Sequence, residues 1–265
     1  MLAQERQAMI LEMLRQHDIV RISDITAQFG VSNMTARRDL ETLQKHNLLR
    51  RIHGGAVAID NDTAGQRAAS NPVEQEAVRA DLQAIGKLAA SMANEGDIIF
   101  LGPGTTVLAM AHHMRQKSNI TILTNSFPVV NELANTNNII YFLGGILNGD
   151  EYSVTGTFAN SMLETFCANK AFIGCGGISL QHGITDFSAP TADVNRLMVK
   201  NAAQSILLCS GDKLRSNAFS IVCPLSEVDM MITDNTLSAQ DAEAIRGFGV
   251  DLRIVEVDNS AEGTL

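Results

Sequence analysis

Apolar residues recur at helical spacing over roughly the first fifty positions and in short runs after that. Arg6, Ile10 and Leu14 follow one another at intervals of four, flanked by Met9 and Met13, which predicts a helix from about Ala3 to Gln16. A second, short helix should open at Ser23, whose side-chain oxygen suits a cap, with Ile22 at its start and Ile25 and Phe29 facing inward. Gly30-Val31-Ser32 then offers a left-handed stop followed by a new cap. From Asn33 to about His46, Ala36, Leu40 and Leu43 fall on one helical face. Two short helices across a tight turn make a helix-turn-helix pattern over residues 20–39. The segment LLRRIHGGAVAI alternates around two glycines, as a small β-hairpin does.

Beyond the alanine-, asparagine- and glycine-rich stretch 56–76 the period changes. Apolar runs at Ile98–Leu101, Ile120–Leu123, Ile139–Leu143, Ala171–Ile173, Ile206–Leu208, Met230–Thr233 and Leu252–Val257 read as strands. Helical patterns at Leu82–Asn94, Thr106–Met114 and Ala192–Ala203 lie between some of them. Strands alternating with helices predict a mostly parallel sheet covered on both faces, with ligands at its carboxyl ends. The expected organisation is a winged helix-turn-helix domain at 1–58, a linker at 59–76, a larger α/β domain at 77–258 and a tail at 259–265.

Composition narrows the class. The 265 residues are 45% apolar and 18% charged, too apolar for disorder. No window approaches the length of a membrane span, and the first residues interleave acids and bases with apolar positions, so no membrane segment or signal peptide is expected. Four dispersed cysteines (Cys167, Cys175, Cys209, Cys223) form no CxxC pair, which points to a reduced, cytoplasmic protein. The net charge of −9 argues against nucleic acid until it is divided. Residues 1–60 hold eight Lys/Arg and seven Asp/Glu, a net of +1, leaving −10 for the rest. The cations of the first part concentrate between Arg37 and Arg51.

At 100° per residue, Met34, Arg38, Glu41 and Lys45 point away from the apolar face of the third helix, with Thr35 and Arg37 at its flanks. The N-terminal residues of such a helix reach base edges in the major groove, and arginine presents two donors to guanine. Ser32, Asn33, Thr35, Arg37, Arg38 and Lys45 are therefore the candidates for contact with double-stranded DNA. Arg50, Arg51 and His53 extend that surface along a wing.

In the second part, Leu101-Gly102-Pro103-Gly104-Thr105-Thr106 follows a strand and opens a helix. Gly104 permits close backbone approach, and first-turn N–H groups with the hydroxyls of Thr105 and Thr106 suit a phosphate. The segment matches neither GxxxxGK[ST] nor GxGxxG. Small or hydroxyl-bearing residues at further strand ends, namely Thr124, Asn125, Gly144, Gly145, Gly177, Gly183 and Thr185, together with Lys213, outline a polar pocket for a hydroxylated anion. His112 and His113 are adjacent and point about 100° apart, so no metal site is expected, nor any cofactor.

The chain resembles the DeoR family of bacterial transcriptional regulators. The likeness is carried by Arg6-x3-Ile10-x3-Leu14, then Ser32-x2-Thr35-Ala36-Arg37-Arg38-Asp39-Leu40, and by the wing ending Arg51-Ile52-His53-Gly54-Gly55-Ala56. The resemblance implies a sensor domain similar in fold to ribose-5-phosphate isomerase and a phosphorylated sugar or related metabolite as effector. It implies a repressor of a sugar-catabolic operon. A single small reading head gives limited affinity, so a homodimer or homotetramer spanning repeated half-sites is expected. Where the family usually has acids, this chain has Gly102, Asn169 and Ser210, and a common upstream Lys appears as Leu82. Those departures touch the expected rim of the pocket. The alternative reading is an isomerase-like enzyme with an accessory DNA-binding domain. Proton transfer between substrate carbons needs a positioned carboxylate; Glu151, Asp186 and Asp212 are the acids left on the pocket side, and no catalytic role is assigned to them.

Overall fold

The computed structural model describes residues 3–17, 19–45, 49–52, 55–58, 79–149 and 151–257. The expected linker and tail lie outside these residues. Chain contacts divide the molecule into two compact units, Met1–Ala69 and Ser70–Leu265.

In the first unit α1 (Ala3–His17), β1 (Ile19–Arg21), α2 (Ile22–Phe29), α3 (Asn33–Lys45), β2 (Leu49–Ile52) and β3 (Gly55–Ala58) follow in order. Ile10, Leu14, Ile25, Ala36, Leu40, Leu43 and Leu49 form its core. Two expectations change. β1 is an additional strand, and it makes the wing a three-stranded antiparallel sheet in the order β1-β3-β2. Because β1 runs directly into α2, the helix begins at Ile22, so Ser23 lies inside its first turn and not at the cap position. The turn to α3 follows the pattern: Gly30 takes φ +63°, a left-handed conformation that costs glycine little.

The second unit is built on seven parallel strands. They are β4 (Ile98–Leu101), β5 (Thr121–Thr124), β6 (Ile139–Phe142), β9 (Ala168–Ile173), β12 (Ala202–Leu208), β14 (Met230–Asp234) and β15 (Asp251–Val255). Each grows out of one of the seven apolar runs. Their order is β15-β14-β12-β9-β4-β5-β6, and every neighbouring pair is parallel. α4 (Ala80–Ser91), α5 (Thr105–Met114) and α6 (Phe127–Leu133) cover one face. α7 (Thr157–Leu163), α8 (Ala189–Lys200) and α9 (Ala239–Arg246) cover the other. The strands alternate accordingly, with Ile99, Leu101, Ile206 and Leu208 in one core and Phe100 and Leu207 in the other. α4 and α5 approach so closely at Gly86 that a Cβ there would lie 2.6 Å from the backbone of Ala109.

Antiparallel additions escaped the apolar-run pattern. β7 (Ile146–Asn148) pairs with β8 (Ser153–Thr155), while β10 (Gly177–Ser179), β11 (Gly183–Asp186) and β13 (Ser220–Cys223) form a three-stranded sheet. α8 also starts three residues before its expected position and stops at Lys200, because Ala202 and Ala203 are already in β12.

From β4 the chain winds outward through β5 and β6, then returns to the other side of β4 with β9 and winds outward the other way. The boundary between β4 and β9 is therefore the switch point of the sheet. Connections there leave in opposite directions and open a crevice at the carboxyl ends.

Candidate functional site

Two surfaces carry chemistry, one in each unit. In the first, Ser32 caps α3: its Oγ accepts from the Thr35 N–H at 3.2 Å and lies 3.0 Å from the Thr35 hydroxyl. Ala36 and Leu40 are fully buried, and Met34 and Arg38 are exposed on the opposite face, Met34 to 77%. Position and exposure thus give α3 a free outer face at its first turns. The side chains of Asn33, Arg37, Lys45, Arg50 and Arg51, and all of His53, lie outside what the structure describes. β2 and β3 pair with Arg50 opposite Val57 and Arg51 opposite Ala56, so both arginines are placed on the wing strand.

The orientation of α3 is held by an ion pair the charge count did not single out. Arg6 Nε donates to Asp39 Oδ2 at 2.5 Å and Arg6 Nη2 to Asp39 Oδ1 at 3.2 Å, while Gln7 Nε2 also donates to Asp39 Oδ1. Both side chains are buried. The two-pronged geometry ties α1 to α3 and satisfies both carboxylate oxygens.

In the second unit a cleft of about 210 Å³ opens at the switch point. Pro103 to Thr106 line it after β4, Gly174 to Gly176 after β9, and Lys213 after β12; Glu151, Asp186, Phe187 and Thr191 close its other side. Gly104 sits ahead of α5 at φ +113° and ψ 164°, a conformation L side chains rarely adopt. The first N–H groups of α5 and the Thr105 hydroxyl therefore border the cleft at the positive end of the helix. Lys213 ends a short 3₁₀ turn, Gly211–Lys213, and its Nζ donates to the Cys175 carbonyl at 2.9 Å. Asp234 clamps that turn by accepting from the Gly211 N–H at 2.8 Å and from Thr236. Although burial works against it, these hydrogen bonds hold the Asp234 carboxyl below its ordinary range.

The acids face a different environment. Burial, reinforced by the neighbouring Glu151, pushes Asp186 up to about 6, against the opposing pull of the Phe187 and Ser188 amides and of Lys213. Asn195 Nδ2 donates to Asp186 Oδ2 at 3.3 Å, and Glu151 Oε2 accepts from the Thr191 hydroxyl at 2.8 Å. At the floor, Cys175 and Cys209 place their sulfurs 3.3 Å apart as free thiols, and the Cys175 contact together with burial pushes the Cys209 thiol well above its ordinary range.

The structure brings Gly104, Thr105, Thr106 and Lys213 together in this cleft and leaves the other candidates outside its lining. Thr124 accepts from the Ser126 N–H, and Asn125 donates to the Val154 carbonyl, which anchors β8. Thr185 donates to the Gly177 carbonyl and accepts from the Ala218 N–H. A Cβ on Gly145, Gly177 or Gly183 would run into the carbonyl of Thr155, Ser216 or Cys223, so these glycines serve chain packing, and Gly144 lies in the turn after β6. Asn169 is a further correction: it stands at the amino end of β9, where its Oδ1 accepts from the Ile98 N–H, so it does not belong to the rim. Leu82 is core. Ser210 is buried and its hydroxyl reaches Asp212 at 2.5 Å. At Gly102 a Cβ would lie 2.9 Å from Asn195 Oδ1, so the buried asparagine occupies the space an acid would need. Of the three acids expected on the pocket side, Glu151 and Asp186 line the cleft and Asp212 does not; Thr191 is a lining hydroxyl that the sequence reading did not select.

Comparison with known proteins covers both units. A model described as the DeoR-like helix-turn-helix domain matches residues 6–62, and one described as the DeoR C terminal sensor domain matches residues 79–235. The chain is 33% identical over 260 residues to an uncharacterized HTH-type transcriptional regulator, YulB, of Bacillus subtilis, spanning 96% of this chain and 98% of the relative. It is 34% identical over 263 residues to the HTH-type transcriptional repressor GlcR of the same organism, spanning 99% and 100%. A putative aga operon transcriptional repressor of Escherichia coli O157:H7 is 28% identical over 254 residues, spanning 95% and 93%. Among solved structures, ribose 5-phosphate isomerase A of Methanocaldococcus jannaschii overlaps 50% of this chain and 53% of its own at 15% identity and a TM-score of 0.37. The three relatives are named as regulators of transcription, not as enzymes, and they run the length of both units: the chain belongs to the DeoR family of helix-turn-helix transcriptional regulators.

Proposed function

We propose that this regulator is a cytoplasmic repressor of a carbohydrate-catabolic operon. It grips operator DNA through the outer face of α3 and the wing, and the grip changes when a phosphorylated sugar occupies the strand-end cleft. The DNA contacts are assigned to Ser32, Asn33, Thr35, Arg37, Arg38, Lys45, Arg50, Arg51 and His53. Supporting this is the exposed Met34–Arg38 face on a helix whose other face is wholly buried. The effector contacts are assigned to Gly104, Thr105, Thr106 and Lys213, supported by the helix N-terminus and ammonium that border one cleft. GlcR and the aga operon protein are named as repressors, which supports that direction of control. A single reading head contacts one half-site, so the regulator is assigned a homodimer or homotetramer.

A mobility-shift titration on the DNA upstream of the regulator's own operon tests the reading, with random DNA beside it across a salt series. Tighter binding to the upstream DNA at every salt concentration is expected, released by at least one member of a sugar-phosphate panel. Equal affinity for the two DNAs rejects the operator assignment, and operator binding indifferent to the whole panel rejects the effector assignment.

A further inference from the structure

β6 is the last strand of the parallel sheet, with β5 as its one hydrogen-bonded neighbour among the described residues. Its side chains are apolar and exposed: Ile139 is 62% exposed, and Tyr141 and Phe142 are also exposed. The β7–β8 hairpin that follows presents Ile146 and Leu147, 73% and 62% exposed. The surface is continuous. The Phe127 ring packs edge-on against Phe142 at 6.5 Å, the Phe127 N–H donates to the Tyr152 carbonyl, and Ile146 pairs in register with Thr155 beside the start of α7. An apolar surface of this kind on a stably folded domain marks a place where something docks.

Charge identifies what docks. From residue 118 to residue 163 the charged residues are Glu132, Asp150 and Glu151, three in 46 positions against 18% for the chain. Glu132 is engaged by Arg115 and His112, and Glu151 lines the cleft. Asp150, between the two hairpin strands, is the one charge left in this segment, so the edge offers a basic or acidic partner almost nothing to match. Copies of a chain with net charge −9 repel one another over most of their surfaces, and an uncharged apolar face is where that repulsion is least and burial most favourable. An isologous contact uses the same patch on both copies, so it needs no complementary surface elsewhere.

We propose that the β6 edge, with the β7–β8 hairpin, is the surface through which the sensor unit binds a second copy of this chain. The inference rests on the homo-oligomeric reading above and names the surface that reading requires. Phe127, Phe142, Ile146 and Leu147 are its centre.

Light scattering coupled to size exclusion reads the mass of the full-length parent, of the double variant Ile146→Asp/Leu147→Asp, and of Phe219→Ser, which removes an 85% exposed apolar side chain beside β13. The parent and Phe219→Ser are expected to be oligomeric. The double variant should run at half the parent mass or less with an unchanged circular dichroism spectrum, and its operator affinity should fall by about 10²–10⁴-fold as the two heads lose their linkage. A monomeric parent overturns the oligomeric reading itself. An oligomeric parent whose mass survives the double substitution, or falls with Phe219→Ser, leaves that reading standing and overturns the surface. Should the double variant unfold, hydrogen exchange on the parent at two concentrations decides: protection of residues 139–147 that grows with concentration supports the surface, and exchange that does not change rejects it.

Discussion

Buried or half-buried charge is handled in opposite ways by the two units. In the reading head, Arg6 and Asp39 satisfy one another with two hydrogen bonds, and Gln7 adds a third. In the sensor, Glu151 and Asp186 share a cleft with Lys213, whose ammonium is directed to the Cys175 carbonyl. Burial and, after it, the neighbouring Glu151 raise the proton affinity of Asp186, so the cluster stays electrostatically unbalanced. A satisfied pair builds fold, since nothing further can be gained there by a ligand. An unbalanced cluster leaves free energy for a ligand to recover, and this is the character expected of a site.

The largest effect should come from breaking the satisfied pair. Arg6→Ala leaves the Asp39 carboxylate buried without its partner and should destabilise the head by about 3–5 kcal/mol. Denaturant unfolding of the full chain should show a head transition shifted far to lower denaturant, with operator binding lost. A head transition that stays in place would break the contrast.

The next effect has the opposite sign. Asp186 has its folded pKa raised from 3.8 to about 6, so protons bind more tightly in the folded sensor than in the unfolded chain. Below pH 4 both states are protonated and the group is neutral in effect. Between pH 4 and 6 the unfolded chain ionises first and stability falls as pH rises; above pH 6 the whole penalty is present. Asp186→Asn should therefore stabilise the sensor at pH 7.5, by on the order of 3 kcal/mol, with the gain fading toward pH 4. Equal urea midpoints for variant and parent at pH 7.5 would remove Asp186 from the unbalanced cluster.

The same contrast explains what could be read in advance. All seven strands of the parallel sheet announce themselves as apolar runs: β4, β5, β9, β12 and β14 because strands largely buried on both faces leave little room for polar positions, and the edge strand β6 because its apolar residues stand exposed. β7, β8, β10, β11 and β13 were hidden, since their three- and four-residue segments mix small, hydroxyl-bearing and apolar residues with no stable period. The Gly104–Thr106 turn that lines the cleft at a helix start was legible from local spacing. Glu151 and Asp186 were legible as pocket-side acids, whereas Thr191 was not, because α8 brings it to the cleft with no local signature. In the head most of the recognised pattern proved to be scaffold: Arg6, Ile10, Leu14, Ala36, Asp39 and Leu40 are buried, and Arg38 is an exposed part of it.

That division predicts a residue whose loss touches DNA and not the fold. Arg38 is exposed on the outer face of α3. Arg38→Ala should weaken specific operator binding by about 1–3 kcal/mol, the value of one good base contact, with the head's unfolding midpoint unchanged. Operator binding at parental affinity would move the reading face off this side of α3.

The smallest expected effect tests whether scaffold and reading face can be separated at all. Ser32 belongs to both: its Oγ caps α3 through the Thr35 N–H, and the same hydroxyl lies at the end of the helix assigned to DNA. Ser32→Ala removes the cap and should cost about 1 kcal/mol of head stability. Ser32→Asp restores an acceptor at the cap and adds negative charge, which favours the helix N-terminus and disfavours an approaching phosphate. If Ser32 is scaffold alone, both stability and operator affinity should recover in the aspartate variant. Recovery of stability without recovery of affinity would place the hydroxyl on the DNA side, and a deficit relative to the parent that widens as salt is lowered would identify the group it meets as a phosphate.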